Sequence, residues 1–133
     1  MTNKQRIIII DDDDGNNVLS TIAILRVYEN IELKIFTNSK EGIEYIEEEY
    51  EKMQLPTMLF LDINMPGLSG WDILGRLKKM KEIIEASFNI YILSSSVDRA
   101  DKERADSEKL IKGYLIKPLR NNIFNLNKLS PVN

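Results

Sequence analysis

The chain has 133 residues, a net charge of -3, 43% hydrophobic and 29% charged residues. Those values suit a single globular domain with a real core, give no basic footprint for nucleic acid, and include no apolar stretch of membrane-spanning length. It contains neither Cys nor His. This excludes disulfides, thiolate zinc sites, thiol nucleophiles, histidine catalysis and a phosphohistidine of its own, and leaves oxygen as the donor for any metal, which points to Mg²⁺, Mn²⁺ or Ca²⁺.

The start, "MTNKQRIIII", has too short an apolar run for a signal peptide. Arg6–Ile10 reads as a buried strand. Val18, Ile22 and Leu25 then fall at helical spacing, and Asp13 or Asp14 suits the cap of that helix. Ile31–Thr37 is a half-alternating second strand. Ile43, Ile46 and Tyr50 mark a helix face that Glu44, Glu47, Glu48 and Glu51 largely avoid. Met58–Leu61 is the third strand, and "MPG" after it reads as a turn. Ile73, Leu77, Met80 and Ile84 trace the next helix, with Trp71 read as packing and Lys78, Lys79 and Lys81 as a solvated face. Asn89–Leu93 is the fourth strand. Residues 98–110 have helical propensity but little apolar surface beyond Ala100, Ala105 and Leu110. Gly113–Ile116 is the fifth strand, and "LRNNIFNLNKL" closes as a short helix with Leu119, Ile123 and Leu126 inward. Strands alternating with helices predict a parallel sheet covered on both faces.

In such a sheet the site lies beyond the carboxyl ends of the strands. The first strand delivers Asp11 and Asp12 there, the third Asp62, the fourth Ser94 and Ser95, and the fifth Lys117 followed by Pro118. Two carboxylates about 4 Å apart repel by roughly 4 kcal/mol at an effective dielectric of about 20. Three acids facing one lysine therefore call for a divalent cation, and Mg²⁺ needs only one or two carboxylates beside water or phosphate oxygens. A metal, an ammonium and a carboxylate nucleophile suit phosphoryl transfer onto the carboxylate.

The segments "IIIIDDDD", "LFLDINMPGLSGWD", "YILSSS" and "GYLIKPL", in this order and spacing, resemble the response-regulator receiver domain of two-component signalling. The resemblance runs from about Arg6 to Leu129. It implies a flavodoxin-like (βα)5 fold with strand order 2-1-3-4-5. It implies Asp62 as phospho-acceptor, Asp12 as a direct Mg²⁺ ligand (Mn²⁺ being possible) and Asp11 as a ligand through water. Asn64 would add its backbone carbonyl to the metal, and Lys117 would pair with the phosphoryl group across a cis Lys117–Pro118 bond. Ser94 would be the switch hydroxyl and Tyr114 the switch aromatic, although Tyr114 reads equally well as half-buried packing. The resemblance also implies that Asn64 and Ser96 occupy positions that in this family tune dephosphorylation. Ser94 stands where the family often has Thr, and Ser95 where Ala is commoner.

The function implied is a switch that takes a phosphoryl group from a sensor histidine kinase or a histidine phosphotransfer protein and passes the signal to a downstream protein. It is not a turnover enzyme, and it uses no direct nucleic-acid or membrane contact. The expectation is a cytoplasmic stand-alone receiver, one domain over residues 1–133 with a core of about 6–129, acting by protein contact or onward phosphotransfer. Two alternatives are weighed against it. A phosphatase of the haloacid-dehalogenase type needs a second Asp where Asn64 stands, together with a cap domain. A receiver-shaped module that never accepts phosphate would be marked by loss of Asp62 or Lys117, and both are present.

Overall fold

Ile7, Ile8, Ile9 and Ile10 are all fully buried, because the strand that carries them, β1 (Gln5–Ile10), has helices on both sides. The computed structural model describes residues 5–52, 56–95 and 97–120. β1 lies between β2 (Ile31–Phe36) and β3 (Thr57–Asp62), and β4 (Phe88–Ser94) and β5 (Ile111–Ile116) extend the sheet beyond β3. All pairings are parallel and the order is β2-β1-β3-β4-β5, the flavodoxin-like arrangement expected. β3 and β4 are buried along their whole length, which is why they read as continuous apolar runs rather than alternating ones.

Alternation reappears in how each strand divides its side chains. Ile8, Ile10, Leu59, Leu61, Ile90 and Ile92 point to one face. There they meet α2 (Ser39–Glu49), α3 (Gly70–Leu77), α4 (Lys81–Ser87) and α5 (Arg99–Ser107). Ile7, Ile9, Met58, Phe60, Tyr91 and Leu93 point to the other face, against Ile24 of α1 (Asp14–Val27) and Leu119. Four of these helices start on a side-chain cap within a few residues of a strand or turn. Asp13, Asn38, Ser69 and Asp98 each accept the amide three residues on, and Ser69 and Asp72 form a reciprocal capping box.

One expectation is refined and two are corrected. The spacing of Val18, Ile22 and Leu25 finds α1 but marks its outer side. All three are exposed, and the inner side carries Asn16, Asn17, Ser20, Ala23 and Ile24. The helix through Ile73, Leu77 and Ile84 is interrupted by a 3-10 turn at Lys78–Met80. That turn keeps the same side inward, so all three residues remain buried in one cluster. Ala100 is exposed, leaving Ala105 as the buried residue of α5, with Leu110 just beyond it. Ile123 and Leu126 lie outside the described residues. Among the described residues, no helix is long and apolar enough to cross a membrane.

Candidate functional site

Strand register brings the acids together. Ile10 of β1 lies opposite Leu61 of β3, so Asp11 follows one strand where Asp62 ends its neighbour. Ser94 of β4 lies opposite Ile116 of β5, and the Lys117 backbone N–H donates to the Ser94 carbonyl at 2.8 Å. From there the Lys117 side chain reaches back past β4. Its Nζ donates to Asp11 Oδ1 at 3.0 Å and to Asp62 Oδ2 at 3.1 Å. The peptide between Lys117 and Pro118 is cis.

Asp62 ends its strand where it does because the chain turns immediately and folds back over it. Asn64 N–H donates to Asp62 Oδ1 at 3.1 Å. Gly67 takes a positive φ of 82°, which a residue without Cβ adopts at no steric cost. Ser39, at the start of α2, pins this turn: its hydroxyl accepts from Leu68 N–H at 3.1 Å and donates to the Pro66 carbonyl at 3.4 Å. α3 then begins hard against the site. A Cβ on Gly70 would sit 2.7 Å from the Asp62 carbonyl oxygen, so only glycine allows that approach.

Asp11, Asp12 and Asp62 each present a carboxylate oxygen, and these three oxygens lie within 4.8 Å of one another. Asp11 and Asp62 are buried and Asp12 is open to solvent. Burial is the main reason that the Asp62 carboxyl is pushed up to about 6. The Asn64 N–H opposes the shift, neighbouring Asp11 adds to it, and Lys117 offsets part. For Lys117 burial acts downward, but its bonds to Asp11 and Asp62 outweigh that and hold the ammonium above its ordinary range. Three carboxylates and one ammonium leave two negative charges. Hard oxygens only, a net charge of -2 and one solvent-facing carboxylate as an entry path are a donor set that fits Mg²⁺ or Mn²⁺.

Around this centre, Ser94 is buried at the end of β4. Tyr114 is half-buried and packs against the core beneath α2, α3 and α5. The Asn64 side chain is exposed, and Ser96 lies outside the described residues. Asp13 caps α1 by accepting from Asn16 N–H. Trp71 packs at the core edge and bridges two helices: its indole N–H donates to Asp101 at 3.2 Å, and the Arg104 guanidinium lies 4.3 Å from its ring centroid. Lys78 is not merely solvated, since it pairs with Glu108.

Sequence reasoning missed Asn16, Asn17 and Ser39. The signal available for the first two was phase: residues 16, 20, 23, 24 and 27 recur at helical spacing opposite the conspicuous apolar stripe.

The family model for the response regulator receiver domain matches residues 7–126. The chain belongs to that family. Its fold is similar to a two-component response regulator from Cytophaga hutchinsonii, with a TM-score of 0.83, 30% identity and 92% of each chain covered. It is 34% identical over 103 residues to the sensory transduction protein LytT of Bacillus subtilis, covering 72% of this chain and 40% of that protein. It is 25% identical over 114 residues to the "Probable methanogenesis regulatory protein FilR2" of Methanothrix harundinacea, covering 85% of this chain and 72% of that one. The chain thus spans less than half the length of LytT. Receiver domains are signalling switches that work with histidine kinases and downstream targets, not turnover enzymes, and the acidic pocket here is of the phospho-accepting kind.

Proposed function

We propose that this receiver takes a phosphoryl group from a partner's phosphohistidine onto Asp62, with Mg²⁺ or Mn²⁺ required, and changes its protein-binding surface in response. The observation that carries the proposal is the convergence of Asp11, Asp12, Asp62 and Lys117 at one set of strand ends with a net charge of -2. An Asp62 oxygen attacks phosphorus. The new P–O bond forms as the P–N bond breaks, and its electron pair stays with the imidazole, which takes up a proton and leaves neutral. A dication, when bound, supplies charge neutralisation on the transferring oxygens.

The protein's own residues do the rest. Asp12 and Asp62 would hold the ion directly, Asp11 would hold it through water, and Asn64 would contribute its backbone carbonyl. Lys117, already directed at Asp62 Oδ2, shifts to a phosphoryl oxygen, and Ser94 donates its hydroxyl to another. Withdrawal of Ser94 toward the phosphate makes room for Tyr114 to turn inward, which reshapes the surface formed by α5 and β5. Asn64 and Ser96 set how readily water reaches the acyl phosphate. The donor is a sensor histidine kinase or a histidine phosphotransfer protein, and the recipient of the signal is a protein.

Incubation with acetyl phosphate and Mg²⁺ should raise the intact mass by one phosphoryl group. Omission of the metal should suppress the rise, and Asp62→Asn should abolish it. Equal labelling of Asp62→Asn and wild type would overturn the assignment. Many turnovers of a small phosphomonoester per chain would instead favour a phosphatase.

A further inference from the structure

The inner side of α1 is polar where it meets the acidic pocket, and two adjacent asparagines there act on Asp11 in different ways. Asn16 Nδ2 donates to the Asp11 carboxylate at Oδ2, 2.7 Å away. Asn17 Nδ2 donates to the Asp11 backbone carbonyl at 2.9 Å. Both side chains are buried to the same degree, at 6% exposure. The amide of Asn16 must present its NH₂, because a carbonyl turned toward a carboxylate would be repelled. Its Oδ1 has no partner among the described residues, and neither has that of Asn17. A buried acceptor left unpaired is a cost to the fold, and an aliphatic side chain would pack in that place without it.

The remaining contacts show what Asn16 controls. Asp11 Oδ1 accepts from Lys117 Nζ at 3.0 Å and from Asp13 N–H at 3.0 Å. Asp11 Oδ2, at the other end of the carboxylate, accepts from Asn16. The carboxylate plane is therefore clamped from opposite ends, and removal of Asn16 frees one of them. Hydrogen bonds to ligating carboxylates orient them, and loss of such a bond typically weakens metal affinity by about 10- to 100-fold; for Asp11, which reaches the ion through water, the lower end of that range is expected.

The geometry points to Asn16 as a positioning residue for the divalent cation: its amide fixes the orientation of the Asp11 carboxylate, and through it the affinity of the pocket for Mg²⁺. This rests on the metal-dependent reading given under Proposed function. Asn17, which holds only the backbone, is the internal control.

The test is Mg²⁺ titration of the purified chain by isothermal calorimetry and by Trp71 fluorescence, with thermal melts in EDTA alongside. Asn16→Leu should bind Mg²⁺ about 10-fold or more weakly than wild type, with a melting temperature in EDTA no lower than that of Asn17→Leu. Asn17→Leu should keep near wild-type affinity. At saturating Mg²⁺, Asn16→Leu should recover most of its acetyl phosphate labelling, and Asn16→Ala should repeat the pattern if the leucine variant folds poorly. Unchanged Mg²⁺ affinity in a folded Asn16 variant would overturn the inference while leaving the proposed function intact. An equal loss in Asn17→Leu would also overturn it, since helix displacement would then explain both. A wild-type chain that binds no Mg²⁺ would sink the metal-dependent function and this inference together.

Discussion

α2 and α5 cover the same face of the sheet but are held there by different forces. α2 buries Ile43 and Ile46 completely and approaches so closely that a Cβ on Gly42 would lie 2.7 Å from Ile10 Cδ1. α5 buries Ala105 alone. It packs along β5, and polar contacts tie it to the neighbouring helical segment: Trp71 to Asp101, Arg104 over Trp71, and Lys78 to Glu108 just past the helix end. Apolar burial is worth about 1.5–3 kcal/mol per large side chain, whereas exposed ion pairs contribute up to about 1 kcal/mol. A helix fixed mainly by exchangeable polar contacts can change place at little cost to the rest of the molecule. The contrast separates scaffold from movable part on a single face.

The contrast breaks first, and hardest, at α2. Ile46→Ala should cost about 2–5 kcal/mol of global stability in urea melts, with hydrogen-exchange protection lost across the whole sheet. A loss confined to α2 would mean that α2 is no better anchored than α5.

Asp62 supplies a lever on the stability of the whole fold. Its folded-state pKa, about 6, lies above the ordinary value of 3.8. The protonated carboxyl therefore favours the fold below about pH 4, and that favour is lost as pH rises through about 6. Without metal, Asp62→Asn should be more stable than wild type at pH 7 by on the order of 1–3 kcal/mol. The advantage should shrink toward nothing below pH 4, and Mg²⁺ should narrow it at pH 7. Paired urea melts across pH check this, and an Asp62→Asn variant less stable than wild type at pH 7 would reverse the sign.

The smallest effects belong to α5. Arg104→Ala should cost about 0.5–1 kcal/mol while clearly shifting the emission of Trp71, the sole tryptophan. Trp71→Leu should lower exchange protection in residues 99–107 and leave β1 and β3 protected. A global loss would show that the indole supports the core as well as the tether.

The strand-end chemistry was legible in the sequence because each reactive residue closes an apolar run, and a parallel sheet gathers such ends by register. Asp11, Asp62 and Lys117 could therefore be placed together before any coordinate. The polar lining of α1 was hidden, because Val18, Ile22 and Leu25 form a cleaner periodic stripe on its outer side than Asn16, Asn17 and Ser20 do on the inner one. The break at Lys78–Met80 left no trace either, since a 3-10 turn keeps Ile73, Leu77 and Ile84 in phase. Ser39 carries no pattern at all: it matters only because the turn at Pro66–Leu68 happens to fold over it.

The backbone link from Lys117 N–H to the Ser94 carbonyl yokes two groups that come from different strands. The bond fastens the two backbones that carry the hydroxyl and the ammonium. The tips of β4 and β5 are thereby joined at the edge of the acidic pocket.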